Sequence, residues 1–393
     1  MHPHLKEKFL SLFGRPAQYL FETPGRTELG GNHTDHQLGC VLAGAIDLCI
    51  TAAVAENHRQ MISVYSDGFG LCQVNLFDLS PLPEEAGTTA SLIRGIAAGF
   101  AKKGHQVPGF DAYLVSDVLP GNGLSSSAAF EVLMGSIINH LSHAFLHENA
   151  IAKIGQFAEN TFFGKPCGLM DQMACATGGI IAIDFSDPTN PLVEPICFDF
   201  SGCGYTLCII ESGASHEGLT DAYAAIPKEM GQIAAFFEKK YLRHVSEDIF
   251  YDNLGALRRQ FGDRAVLRAI HFFDENRRVV QQKEALKHND LNVFFHLVNQ
   301  SGDSSWKLLQ NIHLPESSFH QEVALALALT KALLRGQGAC RVHGGGFAGT
   351  IQAYVPNHML ECFRKKMESV LGSGSCHCLS IRQKGATYLE IAE

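Results

Sequence analysis

The residues best suited to chemistry sit in three glycine-rich clusters, at 25–39, 121–123 and 344–349. The middle cluster has the clearest context. Pro120-Gly121-Asn122-Gly123-Leu124 runs into Ser125-Ser126-Ser127, and Phe130, Leu133, Met134, Ile137, Ile138 and Leu141 then recur at helical spacing. A helix N-terminus presents unpaired N–H groups and the positive end of its dipole, so it attracts phosphate. Glycines let backbone approach a phosphate closely, and a serine hydroxyl can reach a divalent cation. Gly121, Gly123, Leu124, Ser125, Ser126 and Ser127 together supply such a cradle. Two other phosphate loops are excluded. Gly164-Lys165 is followed by Pro166 where a P-loop needs Ser or Thr, and Ser126 stands where a dinucleotide fingerprint needs its third glycine or an alanine. A turn with a serine-capped helix and no ligand is the alternative this loop alone leaves open.

The other candidates are weaker taken singly. His33, Asp35 and His36 fit a metal site, Asp171 a helix cap, and Glu159 a solvated helix carboxylate. The twelve cysteines are scattered without a CxxC pair, and Cys376 and Cys378 flank His377 with no second pair at zinc-finger spacing, so free thiols are expected.

The elements that must position these groups mix strands and helices without regular alternation. Phe110 to Val118 alternates as a strand leading into the serine loop. A helix is expected over Glu148 to Phe162 and strands over Ile180 to Phe185, Tyr205 to Ile210 and Thr350 to Val355, with a helix over Val323 to Leu334. Residues 187–195 carry Pro188, Pro191 and Pro195 and mark a junction. The pattern predicts an α+β protein of two domains, 1–190 and 191–393. A charge of −9 argues against a nucleic-acid partner. No run reaches the roughly 18 apolar residues of a membrane span. Residues 1–14 lack a basic patch followed by an apolar core, so a cytoplasmic protein, monomer or small homo-oligomer, is expected.

Read together, the clusters resemble the galactokinase family of GHMP small-molecule kinases. Gly25-Arg26 with Gly31-Asn32-His33-Thr34-Asp35-His36 is similar to the family's sugar signature, GRxNxIGEHTDY. Gly121 to Ala128 resembles the GHMP phosphate loop, and His343-Gly344-Gly345-Gly346-Phe347-Ala348-Gly349 the third GHMP motif. Ala158-Glu159 and Cys167-Gly168-Leu169-Met170-Asp171-Gln172 match a further block, and the resemblance spans about Phe13 to Ala386. It implies an ATP- and Mg2+-dependent sugar-1-kinase with the two-domain GHMP kinase fold, ATP and sugar in the inter-domain cleft. Asp171 matches the catalytic base and Arg26 its partner. Ser127 and Glu159 match the magnesium ligands, and Asn32, His33, Asp35, Gly168 and Tyr223 the sugar contacts.

The sequence also departs from the family pattern. Asn32 replaces a glutamate and His36 a tyrosine. Ala224-Ala225-Ile226-Pro227-Lys228 stands where an arginine pair is usual, and an acidic stretch is replaced across Trp306 to Ile312. A neutral Asn32 in place of a carboxylate leads one to expect tolerance of a modified C6 group. That leaves galactose, a C6-modified galactose such as galacturonate, and a catalytically silent sugar sensor as the readings.

Overall fold

The computed structural model describes residues 3–118, 123–165, 167–214, 218–314 and 317–391. Along the chain, helix α1 (Pro3–Phe13) precedes two long strands, β1 (Tyr19–Gly30) and β2 (Cys40–Glu56), and the hairpin β3 (Met61–Ser66) with β4 (Gly70–Asn75). Then come α2 (Thr89–Lys102), β5 (Phe110–Ser116), α3 (Ser126–Leu141), α4 (Glu148–Ala158) and α5 (Met170–Thr177). Strands β6 (Ile180–Asp184), β7 (Leu192–Ile196) and β8 (Tyr205–Glu211) lead to the helices α6 (Thr220–Phe236), α7 (Glu247–Asp252), α8 (Leu254–Phe261), α9 (Asp263–Lys287), α10 (Leu291–Ser304) and α11 (Glu322–Leu334). The chain ends with β9 (Ala339–His343), β10 (Thr350–Pro356), α12 (Leu360–Leu371), β11 (Cys376–Leu379) and β12 (Thr387–Glu390). The α+β composition expected from the sequence is what the chain adopts.

Two compact units form, and their borders differ from the division after residue 190. The first holds residues 1–26, 45–179 and 382–393, the second 27–44 and 180–381. The borders fall inside β1 and β2, and the chain end returns to the first unit because β12 pairs with β1, Tyr19 opposite Glu390. Pairing across more than 360 residues leaves no trace in a local pattern.

In the first unit, β2 runs antiparallel to β5 from Ile50↔Ser116 to Glu56↔Phe110, and β3 lies parallel to β5 and antiparallel to β4. Ala52, Ala53, Val54 and Ala55 are all buried, as expected of a strand covered on both faces. Leu5 and Phe9 of α1 pack on Ala53, Ala55 and Tyr113. Helices α2, α3, α4 and α5 pack on one another. α2 and α4 meet at unusually short range, since a Cβ at Gly95 would lie 2.7 Å from the Ala158 Cβ. The expected helix at 148–162 stops being α-helical at Ala158. A single wide π-turn, Glu159–Phe163, follows and ends on the left-handed Gly164. Such turns are frequent at functional sites.

In the second unit, an antiparallel sheet has the order β11-β8-β10-β9. One face packs Cys208, Ile210, Val342, Ile351 and Val355 against Val323 and Leu327 of α11 and Phe363 and Met367 of α12. The other buries Leu207, Ala339 and Tyr354 against Phe294, Phe295 and Val298 of α10. A separate helical core joins Ile226, Met230 and Ile233 of α6 to Ala265, Ala269 and Phe272 of α9.

Candidate active site

In the first unit, β5 feeds the serine loop and α3 begins at Ser126. Gly121 lies outside the described residues. Ser125 holds the N-cap position, yet its backbone is left-handed and its hydroxyl makes no cap bond; it donates instead to Asp171 Oδ2. The expected serine cap is therefore replaced by a bond to a carboxylate, and the first N–H groups of α3 keep no side-chain cap. Ser126 and Ser127 border a cavity of about 310 Å³ whose apolar walls include Ile50, Leu92, Leu114 and Phe130, with Phe69 from the β3–β4 hairpin. The sequence reading missed this cavity, because its walls come from β2, β3, α2, β5 and α3.

Asp171 sits in the first turn of α5 and is about one-third exposed. Arg26, at the end of the first unit's stretch of β1, is buried and grips it with both arms. Nε donates to Oδ1 at 2.7 Å and Nη2 to Oδ2 at 2.8 Å, while Nη1 donates to the Gly123 carbonyl. The planar fork thus ties the carboxylate to the phosphate-type loop. A carboxylate offers about four acceptor positions. Oδ2 spends two on Arg26 and Ser125 and Oδ1 spends one on Arg26, so among the described residues one position on Oδ1 takes no bond. Gly168, three residues earlier, is exposed backbone.

Successive residues on a helix point about 100° apart, so Gln172 faces away from Asp171. Its Nε2 donates at 2.9 Å to Glu131 and at 3.0 Å to Glu159, both buried. Lys165 Nζ lies 3.5 Å from the other Glu159 oxygen. Burial and the neighbouring Glu159 charge push the Glu131 carboxyl up to about 9, and among the described residues its Oε1 has no hydrogen-bond partner. Glu131 lies one turn after Ser127 on α3, on the same face. A hydroxyl and a carboxylate with an orphaned buried carboxyl oxygen nearby suit a hard divalent cation. Among the described residues no group of three or more His, Cys, Asp or Glu could hold a metal alone. Glu131 and Gln172 were not singled out from the sequence, since only their common contact marks them.

The second unit holds the signature residues around Gly31, a tight spot where a Cβ would lie 2.6 Å from the Cys40 carbonyl oxygen. The Thr34 hydroxyl closes the turn onto the Gly31 and Cys40 carbonyls. The glycine-rich turn after β9 acts as a scaffold. The Gly344 carbonyl accepts from Asn32 Nδ2 at 2.7 Å, Gly345 from His33 Nε2 at 3.0 Å, and Gly346 from the Tyr223 hydroxyl at 2.7 Å. A carbonyl only accepts, so His33 carries its proton on Nε2 in this arrangement. Its pKa is lowered chiefly by burial. His33 and Asp35 keep partial exposure.

Asn32 does not. It is buried, with Nδ2 also reaching Glu28 and Oδ1 accepting from Asn311 at 2.9 Å. The expectation that Asn32 contacts a sugar is corrected accordingly: its amide is consumed by the scaffold. Nothing in its environment favours the C6-modified reading. Tyr223 likewise packs its ring on Gly345 and Phe347 and spends its hydroxyl on Gly346. Arg341 and His343 are buried in structural bonds to Glu28 and to Thr27 and Thr350.

Comparison with known proteins places this geometry. Residues 91–179 match the family model described as GHMP kinases N terminal domain, and residues 7–56 the galactokinase galactose-binding signature. The crystal structure of Lactococcus lactis galactokinase complexed with galactose superposes with a TM-score of 0.84 at 24% identity, covering 98% of this chain and 99% of that one. The mevalonate kinase of Methanococcus jannaschii gives 0.66 at 17% identity, with 93% and 99% covered. The fold is that of the GHMP small-molecule kinases. Galactokinase from Glaesserella parasuis serovar 5 (strain SH0165) is 33% identical over 364 residues, 91% of this chain and 90% of its own. Galactokinase from Actinobacillus pleuropneumoniae is 32% identical over 361 residues, 91% of each. The chain belongs to the galactokinase family and is a sugar kinase.

Proposed function

We propose that this chain transfers the γ-phosphoryl group of ATP to the C1 hydroxyl of galactose, releasing α-galactose 1-phosphate and ADP. The observation that carries the reading is the Asp171 carboxylate, fixed by Arg26 and Ser125 with one acceptor position on Oδ1 unused. That position orients the attacking hydroxyl and takes its proton. The N–H groups opening α3, with Ser126 and Ser127, bind the phosphates, and the apolar cavity beside them suits a purine. Phosphoryl transfer is mostly positioning and charge neutralisation. Arg26, joined to both Asp171 and Gly123, supplies a fixed positive charge next to the transferred group. Ser127 and Glu159 would hold Mg2+, which when bound neutralises phosphate charge. Gln172 aims the Glu159 carboxylate. His33 and Asp35 are the proposed partners of the remaining sugar hydroxyls.

The test is a sugar panel with ATP and Mg2+, read by ADP release: galactose, galacturonate, 6-deoxygalactose and glucose. Galactose is expected to give the highest kcat/KM. A chain with no galactose-dependent ADP release, or with galacturonate preferred, contradicts the proposal.

A further inference from the structure

The second unit carries a thiol cluster unrelated to the kinase residues. β11 is the edge strand of its sheet and pairs antiparallel with β8, setting Cys378 directly opposite Cys208 and Cys376 opposite Ile210. The two strands also bond just beyond this ladder, Glu211 N–H donating to the Ser375 carbonyl at 2.8 Å. In antiparallel strands, hydrogen-bonded and non-hydrogen-bonded pairs alternate. With Glu211 and Ser375 a bonded pair, Ile210 and Cys376 are a non-bonded pair, Ile209 and His377 a bonded one, and Cys208 and Cys378 again non-bonded. Non-bonded pairs are the closer kind, with Cα atoms about 4.5 Å apart and side chains on one face. That separation lies inside the window of roughly 4.4–6.8 Å that a disulfide accepts.

The other pairings within the cluster do not fit. Cys376 and Cys378 are two residues apart on one strand, about 6.8 Å along it, with Cβ atoms too far apart for an S–S bond. Cys376 and Cys208 are diagonal neighbours, about 7–8 Å apart. Exposure sets the direction. Cys378 is exposed, whereas Cys208 and Cys376 are buried against α11 and α12.

We propose that Cys378 and Cys208 form a thiol-oxidation site, in which a peroxide oxidises Cys378 and Cys208 resolves it into an intrachain disulfide joining β11 to β8. The Cys378 thiolate attacks a peroxide oxygen; the S–O bond forms, the O–O bond breaks, and the leaving oxygen departs as water after taking a proton. The Cys208 sulfur then attacks the sulfenic sulfur. The S–S bond forms, the S–O bond breaks, and hydroxide leaves with the Cys208 proton as a second water. Two thiols lose two electrons and two protons, and one hydrogen peroxide becomes two waters. The local electrostatics agree with this order. Thiol hydrogen bonds from Cys208 and Cys376, with help from Arg364 and His377, hold Cys378 far below the ordinary thiol range, while bonds with Cys376 and Cys378, and burial, raise Cys208. A thiolate that is exposed and paired with a resolving thiol is the form that oxidants select.

The full chain, reduced and then treated with limiting hydrogen peroxide, tests this by intact mass and non-reducing peptide mapping. A loss of two hydrogens, a 208–378 linked peptide and full reversal by dithiothreitol are expected. Cys378 should react at least about tenfold faster than the exposed Cys197, Cys203 and Cys362. Cys208→Ser should leave a sulfenic acid on Cys378 that dimedone traps, and Cys376→Ser should still form the link. A two-hydrogen loss that survives in Cys378→Ser, or oxidation of Cys378 no faster than the three exposed controls, overturns the proposal.

Discussion

Replacing Arg26 with lysine probes the geometry of the phosphotransfer centre, because it keeps the charge and removes the fork. Arg26 uses three nitrogens: two on the Asp171 oxygens and one on the Gly123 carbonyl. A lysine has one ammonium on a flexible stem and cannot reach both groups from a buried position. At least one charge-assisted bond to Asp171 is lost. Hydrogen bonds to charged groups contribute about 1.5–3 kcal/mol, and each 1.36 kcal/mol is tenfold in rate, so kcat/KM should fall by about 10- to 150-fold. The effect should fall mainly on kcat, since Ser126, Ser127 and the adjoining cavity are untouched and nucleotide affinity should stay within about threefold. Steady-state kinetics with a coupled ADP assay, calorimetric ADP titration and circular dichroism would separate these quantities. A folded Arg26→Lys protein with kcat within about threefold of the native value refutes the reasoning, because it would show that the bidentate grip on Asp171 does not contribute to turnover.

Other expectations follow from the same geometry. Asp171→Asn keeps the shape but removes the proton acceptor, so kcat should fall by about 10²–10⁴-fold with ADP affinity retained; near-native turnover excludes Asp171 as the base. Glu159→Ala should lower the affinity for Mg–ADP more than that for metal-free ADP, and an unchanged ratio by calorimetry removes Glu159 from the metal site. Acid stability depends on buried histidines. Burial lowers His271 from 6.5 to about 4, so the unfolded chain binds the extra proton between those values, and stability present above about 6.5 is lost as pH falls towards 4. His33 and His36 shift the same way, again through burial. The denaturation midpoint should therefore fall as pH drops from 6.5 to 5. His271→Gln should flatten the curve by up to about 1.4 kcal/mol per pH unit, and parallel curves would count against this cause. Glu275 adds to the loss at lower pH: burial alone would raise it, but the charges of Arg278, His271 and Arg341 hold it at about 2, so its contribution disappears between about 4.5 and 2.

The parts of the site that could be read in the sequence are those whose chemistry is local. The strand, serine loop and helix at 110–141 follow from periodicity, and the structure starts α3 at Ser126 as that pattern requires. Asp171, Arg26 and Glu159 stand out through motif order. What escaped the sequence depends on distant contacts. Glu131 reads as one more helix carboxylate until Gln172, 41 residues on, is seen to bridge it to Glu159. Asn32 looked like a free specificity group. Only the arrival of Gly344 and Asn311, 312 and 279 residues away, shows its amide to be occupied. The two units divide elsewhere than after residue 190, and for the same reason: β1 and β2 each serve both units and β12 closes on β1.

The central claim is that Asp171 directs phosphoryl transfer to a sugar C1 hydroxyl, and product analysis tests it most directly. The full chain would be incubated with ATP, Mg2+ and galactose, and the phosphorylated sugar examined by phosphorus and proton magnetic resonance, with Asp171→Asn in parallel. The account predicts α-galactose 1-phosphate forming in step with ADP in the native protein and nearly absent in the variant. Phosphate on another hydroxyl, or equal product from both proteins, would contradict it.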